Sequence, residues 1–168
     1  MKQLFLIAAL SFAVVLQATA ALSQRSYGCD RGTGEVLIKS CTGDIQRNPN
    51  DATAYYNRGI EYLLMHNFDL AIADITKTIE LTRGRTTAHF LNRGAAYLGK
   101  GDHERAIADF NTIIESSPRF APAYESRALV YEKKGDRERA IADYRRAIEL
   151  SPGSSLESKR GLKRLGAD

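Results

Sequence analysis

Three copies of one segment dominate this chain. Residues 121–152, APAYESRALVYEKKGDRERAIADYRRAIELSP, align with 87–118 without a gap at an offset of 34 residues. Residues 52–83 precede the second copy by 35, with one extra residue in the joint. A unit this short cannot bury an apolar face alone and must bury it against the next copy, so the period predicts a stacked repeat array. Each copy holds two amphipathic helical patterns, joined at His66-Asn67, Gly101-Asp102 or Gly135-Asp136. In the last two joints Gly suits a left-handed end to the first helix and Asp suits the cap of the second.

Within each first helix an aromatic residue (Tyr55, Phe90, Tyr124) is followed four positions on by a small one (Gly59, Gly94, Ala128). A tyrosine comes three further on, at Tyr62, Tyr97 and Tyr131. In the second helix Ala71, Ala106 and Ala140 allow close approach, and Ile75, Phe110 and Tyr144 supply bulk four residues later. Pro118 and Pro152 end the second helices of the last two copies, where the first copy has Arg83. Arg58, Arg93 and Arg127 each precede an aspartate by sixteen residues: Asp74, Asp109 and Asp143. That spacing predicts a structural ion pair across each hairpin, Arg being suited to bidentate geometry.

These residues resemble the tetratricopeptide repeat (TPR) pattern, in which an aromatic, a small residue, a tyrosine, an alanine, an aromatic and a proline recur at this spacing. The departures are the missing Pro, Gly and second-helix aromatic in the first copy, and Arg in each first helix where the family usually has Leu. The Asn-Arg-Gly and Ala-Ile-Ala-Asp subtype is similar to small exported repeat proteins of Gram-negative bacteria. The resemblance implies an all-α, right-handed superhelical array of antiparallel helix pairs. Its repeats are expected at 52–85, 87–120 and 121–153. Residues 35–49 read as an N-terminal capping helix, because Leu37-Ile38 stand one period before Ala71-Ile72 and Cys41 one period before Ile75. Residues 154–168, apolar at Leu156, Leu162 and Leu165 and basic at Lys159, Arg160, Lys163 and Arg164, read as a C-terminal capping helix.

The start of the chain has a different character. A short positive start, an apolar run over 4–16 and Ala18-Thr19-Ala20 match a secretory signal peptide over 1–20, cleaved near Ala20. Residues 21–34 then form an N-terminal segment, and the mature protein is expected in the periplasm or secreted. In that setting the two cysteines, Cys29 and Cys41, are expected to form one disulfide.

Catalysis finds no support. There is no nucleophile elbow, no phosphate loop and no Cys/His pair, and His66, His89 and His103 form no metal motif, so all three read as surface residues. No cofactor and no metal are expected. A formal charge of +4, concentrated in the tail without interleaved aromatics, does not describe a nucleic-acid face. No membrane insertion of the mature chain is expected either. The resemblance implies a concave face lined by the first helices. Counting round each helix gives Tyr56, Asn57, Ile60 and Leu64, then Leu91, Asn92, Ala95 and Leu98, then Glu125, Ser126, Leu129, Glu132 and Lys133. A branch of the family grips a C-terminal carboxylate there through Lys, Asn and Arg. Only Asn92 matches, with Tyr56, Ile60, Pro122 and Ser126 at the other places.

The expected function is therefore a non-catalytic protein-interaction module, an adaptor or scaffold of the bacterial envelope, holding a peptide or helix of another protein. The alternative is a binder of peptidoglycan or polysaccharide through Tyr56 and the basic tail.

Overall fold

The computed structural model describes residues 29, 32–153 and 155–167. The signal-peptide reading of 1–20 and most of the 21–34 segment lie outside the described residues. The described chain is all α-helical: α1 Glu35–Arg47, α2 Ala52–Leu64, α3 Phe68–Thr82, α4 Thr87–Lys100, α5 His103–Ser116, α6 Ala121–Lys134, α7 Arg137–Leu150 and α8 Leu156–Arg164. No strand occurs among the described residues. No described helix is long and apolar enough to cross a membrane.

The helices fall into two compact units that divide between Lys100 and Gly101. In the first, α1 packs on α2, α2 on α3 and α3 on α4, and α2 also touches α4. In the second, α5 to α8 pack in sequence and α6 also touches α8. Short joints between consecutive packed helices make each pair an antiparallel hairpin.

Local chemistry sets the boundaries. Asp51, Asp102 and Asp136 cap α2, α5 and α7, accepting from Ala54 N, Arg105 N and Arg139 N at 3.0, 3.2 and 3.2 Å. Ser117 and Ser151, each before a proline, take extended φ (−143° and −147°) and end α5 and α7. The joint from α2 to α3 solves the same turn with poorer residues. His66 sits at φ 59° where its counterparts Gly101 and Gly135 sit at 83° and 77°. The joint after α3 carries the extra residue, and there Arg83 and Gly84 are both left-handed, at φ 56° and 64°.

Packing follows the small residues. A Cβ on Gly59 would come within 2.9 Å of Ile75 Cγ1, so α2 and α3 touch where that side chain is missing. The first unit holds a core of Leu63, Ala71, Ala95 and Ala96, and a second of Leu37, Cys41 and Ala54, against which Cys29 packs. Cys29 and Cys41 are disulfide-bonded. In the second unit Ala128, Tyr131, Ala140, Tyr144 and Leu162 pack together.

The first and last of the described helices each borrow a cap. Gly34 and Ser155 give α1 and α8 no side-chain cap. Glu61 of α2 accepts from Gly34 N at the head of α1. Glu125 of α6 accepts from Ser158 N at 3.1 Å and Ser158 Oγ at 2.5 Å in the first turn of α8. A carboxylate at a helix N-terminus satisfies unpaired N–H groups and favours the helix dipole.

Candidate partner-binding site

The repeated arginines anchor the first helices. Arg58 donates from Nε and Nη2 to Asp74 at 2.7 and 2.8 Å. Arg127 binds Asp143 with the same two distances. Each arginine also reaches the helix before its own. Arg58 Nη1 donates to Thr42 Oγ1 at 3.0 Å, Arg93 Nη1 to Thr76 Oγ1 at 3.2 Å, and Arg127 Nη1 to Asn111 Oδ1 at 2.6 Å. Two aromatic rings flank every guanidinium at 5.6–6.0 Å: Tyr55 and Tyr62, Phe90 and Tyr97, Tyr124 and Tyr131. The hydrogen bonds to Asp74 and Asp143 raise the pKa values of Arg58 and Arg127 above the usual arginine value. Arg93 lies in the first unit and Asp109, which is buried, in the second. Sequence reasoning missed the contacts to Thr42, Thr76 and Asn111. Their signal was a polar residue recurring at one register position, and the paired rings were legible as aromatics three before and four after each Arg.

Much of the expected lining is interior. In the first unit Tyr56, Asn57, Ile60, Asn92 and Ala95 are all buried. Asn92 Nδ2 donates to Tyr56 Oη at 2.7 Å, which ties α4 to α2. The Tyr56 ring lies against His89, with centroids 4.8 Å apart. Burial pushes the Tyr56 phenol up to about 12, against a smaller opposing effect of the Asn92 hydrogen bond. His89, expected at the surface, is only 8% exposed, and burial lowers its pKa. With Tyr56 6% exposed, its ring is not presented for stacking on a polymer. Leu64, Leu91 and Leu98 are partly buried on α2 and α4, Leu64 packing against Tyr56 and Ile60.

In the second unit Ser126 is buried, Leu129 half-buried and Lys133 exposed. Glu125 and Glu132 differ from expectation, because both are held by α8 rather than turned to a partner. Glu132 accepts Tyr144 Oη at 2.6 Å and Arg164 Nε and Nη2 at 2.8 and 3.0 Å. Burial pushes the Glu132 carboxyl up, but Arg164 and Tyr144 together outweigh it, and the group ends below the usual carboxylate range. The physical reason for the change lies in register. α8 repeats the frame of α6 one period on, with Ser158, Gly161 and Leu162 at the places of Tyr124, Arg127 and Ala128. Where α6 carries Arg127, α8 carries Gly161, and a Cβ there would stand 2.4 Å from the Tyr144 ring. α8 thus lies on the second unit as a shortened first helix and engages the acids of α6. Among the described residues no group of three or more His, Cys, Asp or Glu is placed to hold a metal ion.

The family model described as "Tetratricopeptide repeat" matches residues 56–119 and 91–155, together more than half of the chain. The chain is a tetratricopeptide repeat protein. Over 84 residues this TPR protein is 30% identical to human serine/threonine-protein phosphatase 5, a match covering 50% of the chain but 17% of the phosphatase. Over 74 residues it is 35% identical to Bos taurus DnaJ homolog subfamily C member 3, covering 44% of the chain and 14% of that protein. The chain therefore spans a small part of either relative. Its fold is also that of the first TPR of Spaghetti (RPAP3) bound to HSP90 peptide SRMEEVD, with a TM-score of 0.63, 24% identity, and coverage of 68% of this chain and 90% of that one.

Proposed function

We propose that this TPR protein is a non-catalytic interaction module of the bacterial cell envelope that holds an extended peptide or helix of another protein on α2 and α4. The observation carrying the reading is the state of that face. Leu64, Leu91 and Leu98 are partly exposed, and the Asn92–Tyr56 hydrogen bond ties the two helices that carry them. A few partly exposed aliphatic side chains on a rigid support suit an apolar anchor of a peptide, because little order is lost on binding. The similar RPAP3 domain binds a peptide of HSP90, which supports peptide binding as a use of this fold. A grip on a C-terminal carboxylate like that of the carboxylate-binding branch is not part of the proposal, since Asn92, the one matching position, is engaged by Tyr56.

Envelope location rests on the signal-peptide pattern over 1–20 and is supported by the Cys29–Cys41 disulfide, a bond that persists in oxidising compartments. Fractionation of a Gram-negative host followed by N-terminal sequencing is expected to find the chain in the periplasm, beginning at Ala21. A cytoplasmic, uncut chain would contradict the location. For the binding face, a photoreactive residue at Leu91 is the test; Asn92 is too buried to serve. Capture of one protein segment at Leu91, and not at Glu80 on α3, is expected. Equal capture at both would remove the face from the proposal.

A further inference from the structure

The joint that carries the extra residue, between α3 and α4, has a chemistry of its own. The residues between α3 and α4 surround a surface cavity lined by Leu81, Thr82, Arg83, Arg85 and Thr86. Both arginines are exposed, and no acidic residue belongs to the lining. Most described arginines are satisfied: Arg58 and Arg127 by aspartates, Arg105 and Arg139 by the capping aspartates, Arg164 by Glu132. Arg83 and Arg85 form no ion pair or side-chain hydrogen bond with another described residue. Arg83 moreover holds a left-handed backbone at φ 56°, a conformation that a β-carbon disfavours. Gly84 between them packs its α-carbon side toward the Phe90 ring, where a Cβ would lie 3.5 Å from Cζ, so the loop rests on the first turns of α4. Leu91 follows Phe90 on that helix.

We infer that this loop is a carboxylate subsite, in which Arg83 and Arg85 receive an acidic side chain of a bound peptide. Two arginines lining one cavity that has no acidic residue offer planar forks suited to a carboxylate's paired oxygens. The adjoining lining residues of α2 and α4 carry no charge, so the ligand class is an aliphatic peptide segment bearing acidic residues at one end. Only the identity of the ligand as a peptide rests on the function proposed above.

The test is a titration of the expressed chain followed through backbone amide NMR shifts, at low salt. The probes are acetyl-Glu-Glu-Glu-amide, acetyl-Gln-Gln-Gln-amide and inorganic phosphate. The glutamate peptide is expected to give saturable shifts concentrated at residues 82–86, phosphate to compete for the same amides, and the glutamine peptide to give none. Arg83→Gly keeps the left-handed turn while removing the guanidinium, so it is expected to keep the fold and weaken the glutamate peptide severalfold. Arg83→Gly with Arg85→Gln is expected to abolish the saturable shifts. Shifts that survive the double variant, that appear equally with the glutamine peptide, or that concentrate at Lys159 and Lys163 would overturn the inference. So would phosphate binding without glutamate binding, which marks an adventitious ion only. Neither variant alters Leu64, Leu91 or Leu98, so capture at Leu91 stands or falls separately.

Discussion

Arg127 donates to both carboxylate oxygens of Asp143, at 2.7 and 2.8 Å, and with its remaining nitrogen to Asn111 of the preceding helix. One side chain thereby joins α5, α6 and α7. Arg58 does the same for α1, α2 and α3 through Thr42 and Asp74. These pairs are largely shielded, with the two arginine side chains 17% and 20% exposed. Removing one partner strands a desolvated charge, which is worse than removing both.

Arg127→Ala is therefore expected to lower stability by about 2–4 kcal/mol. Arg127→Leu with Asp143→Leu is expected to lose less than the sum of the two single changes. Urea unfolding of the four chains measures the coupling, and strict additivity would show that the pair is not coupled.

Acid should weaken the first unit through His89. Burial lowers its folded pKa below the unfolded value of about 6.5, so the unfolded chain takes up the proton first. The contribution is intact above that value and is lost as pH falls from it toward the folded pKa. His89→Gln is expected to flatten this part of the melting-temperature profile, measured from pH 8 to 5 by circular dichroism. A profile unchanged in the variant would place the acid sensitivity elsewhere.

The fit of α8 depends on the absence of a side chain at Gly161. Tyr144 is fully buried and its hydroxyl is fixed on Glu132 at 2.6 Å, so its ring cannot swing away from a new Cβ. Gly161→Ala is expected to destabilise by about 1–3 kcal/mol through overpacking. Hydrogen exchange should show protection lost first in α8; a loss spread evenly over α5 to α7 would contradict this.

His66 is the opposite case, a side chain where the turn favours none. His66→Gly at φ 59° is expected to raise stability by about 0.5–1 kcal/mol. The offsetting loss is the edge contact with Phe68, whose ring centroid lies 5.6 Å away. A lower melting temperature would mean that this contact outweighs the backbone strain.

The hairpins were legible because their causes are local and recur. Gly-Asp turns, small residues at the seam and the Arg-to-Asp spacing each state a contact within one copy. Contacts between successive helices of different copies were harder to read. The places of Tyr56 and Asn92 were set by their hydrogen bond to each other, which no periodicity specifies. His89 looked solvent-bound because polarity alone suggested it, yet the neighbouring Tyr56 ring shelters it. Glu125 and Glu132 read as lining in the sequence because residues 154–168 there carry only the signature of a generic cap. Its register, with Gly161 at the position of Arg127, is what brings Ser158 and Arg164 onto those two acids.

In the proposed function Leu64, Leu91 and Leu98 grip a partner segment from a preformed support. The most direct measurement is calorimetric affinity of the segment captured at Leu91 for the native chain and for Leu98→Glu, with melting temperatures recorded alongside. At least tenfold weaker binding at an unchanged melting temperature is the predicted result. Equal affinity for the two chains would contradict the claim.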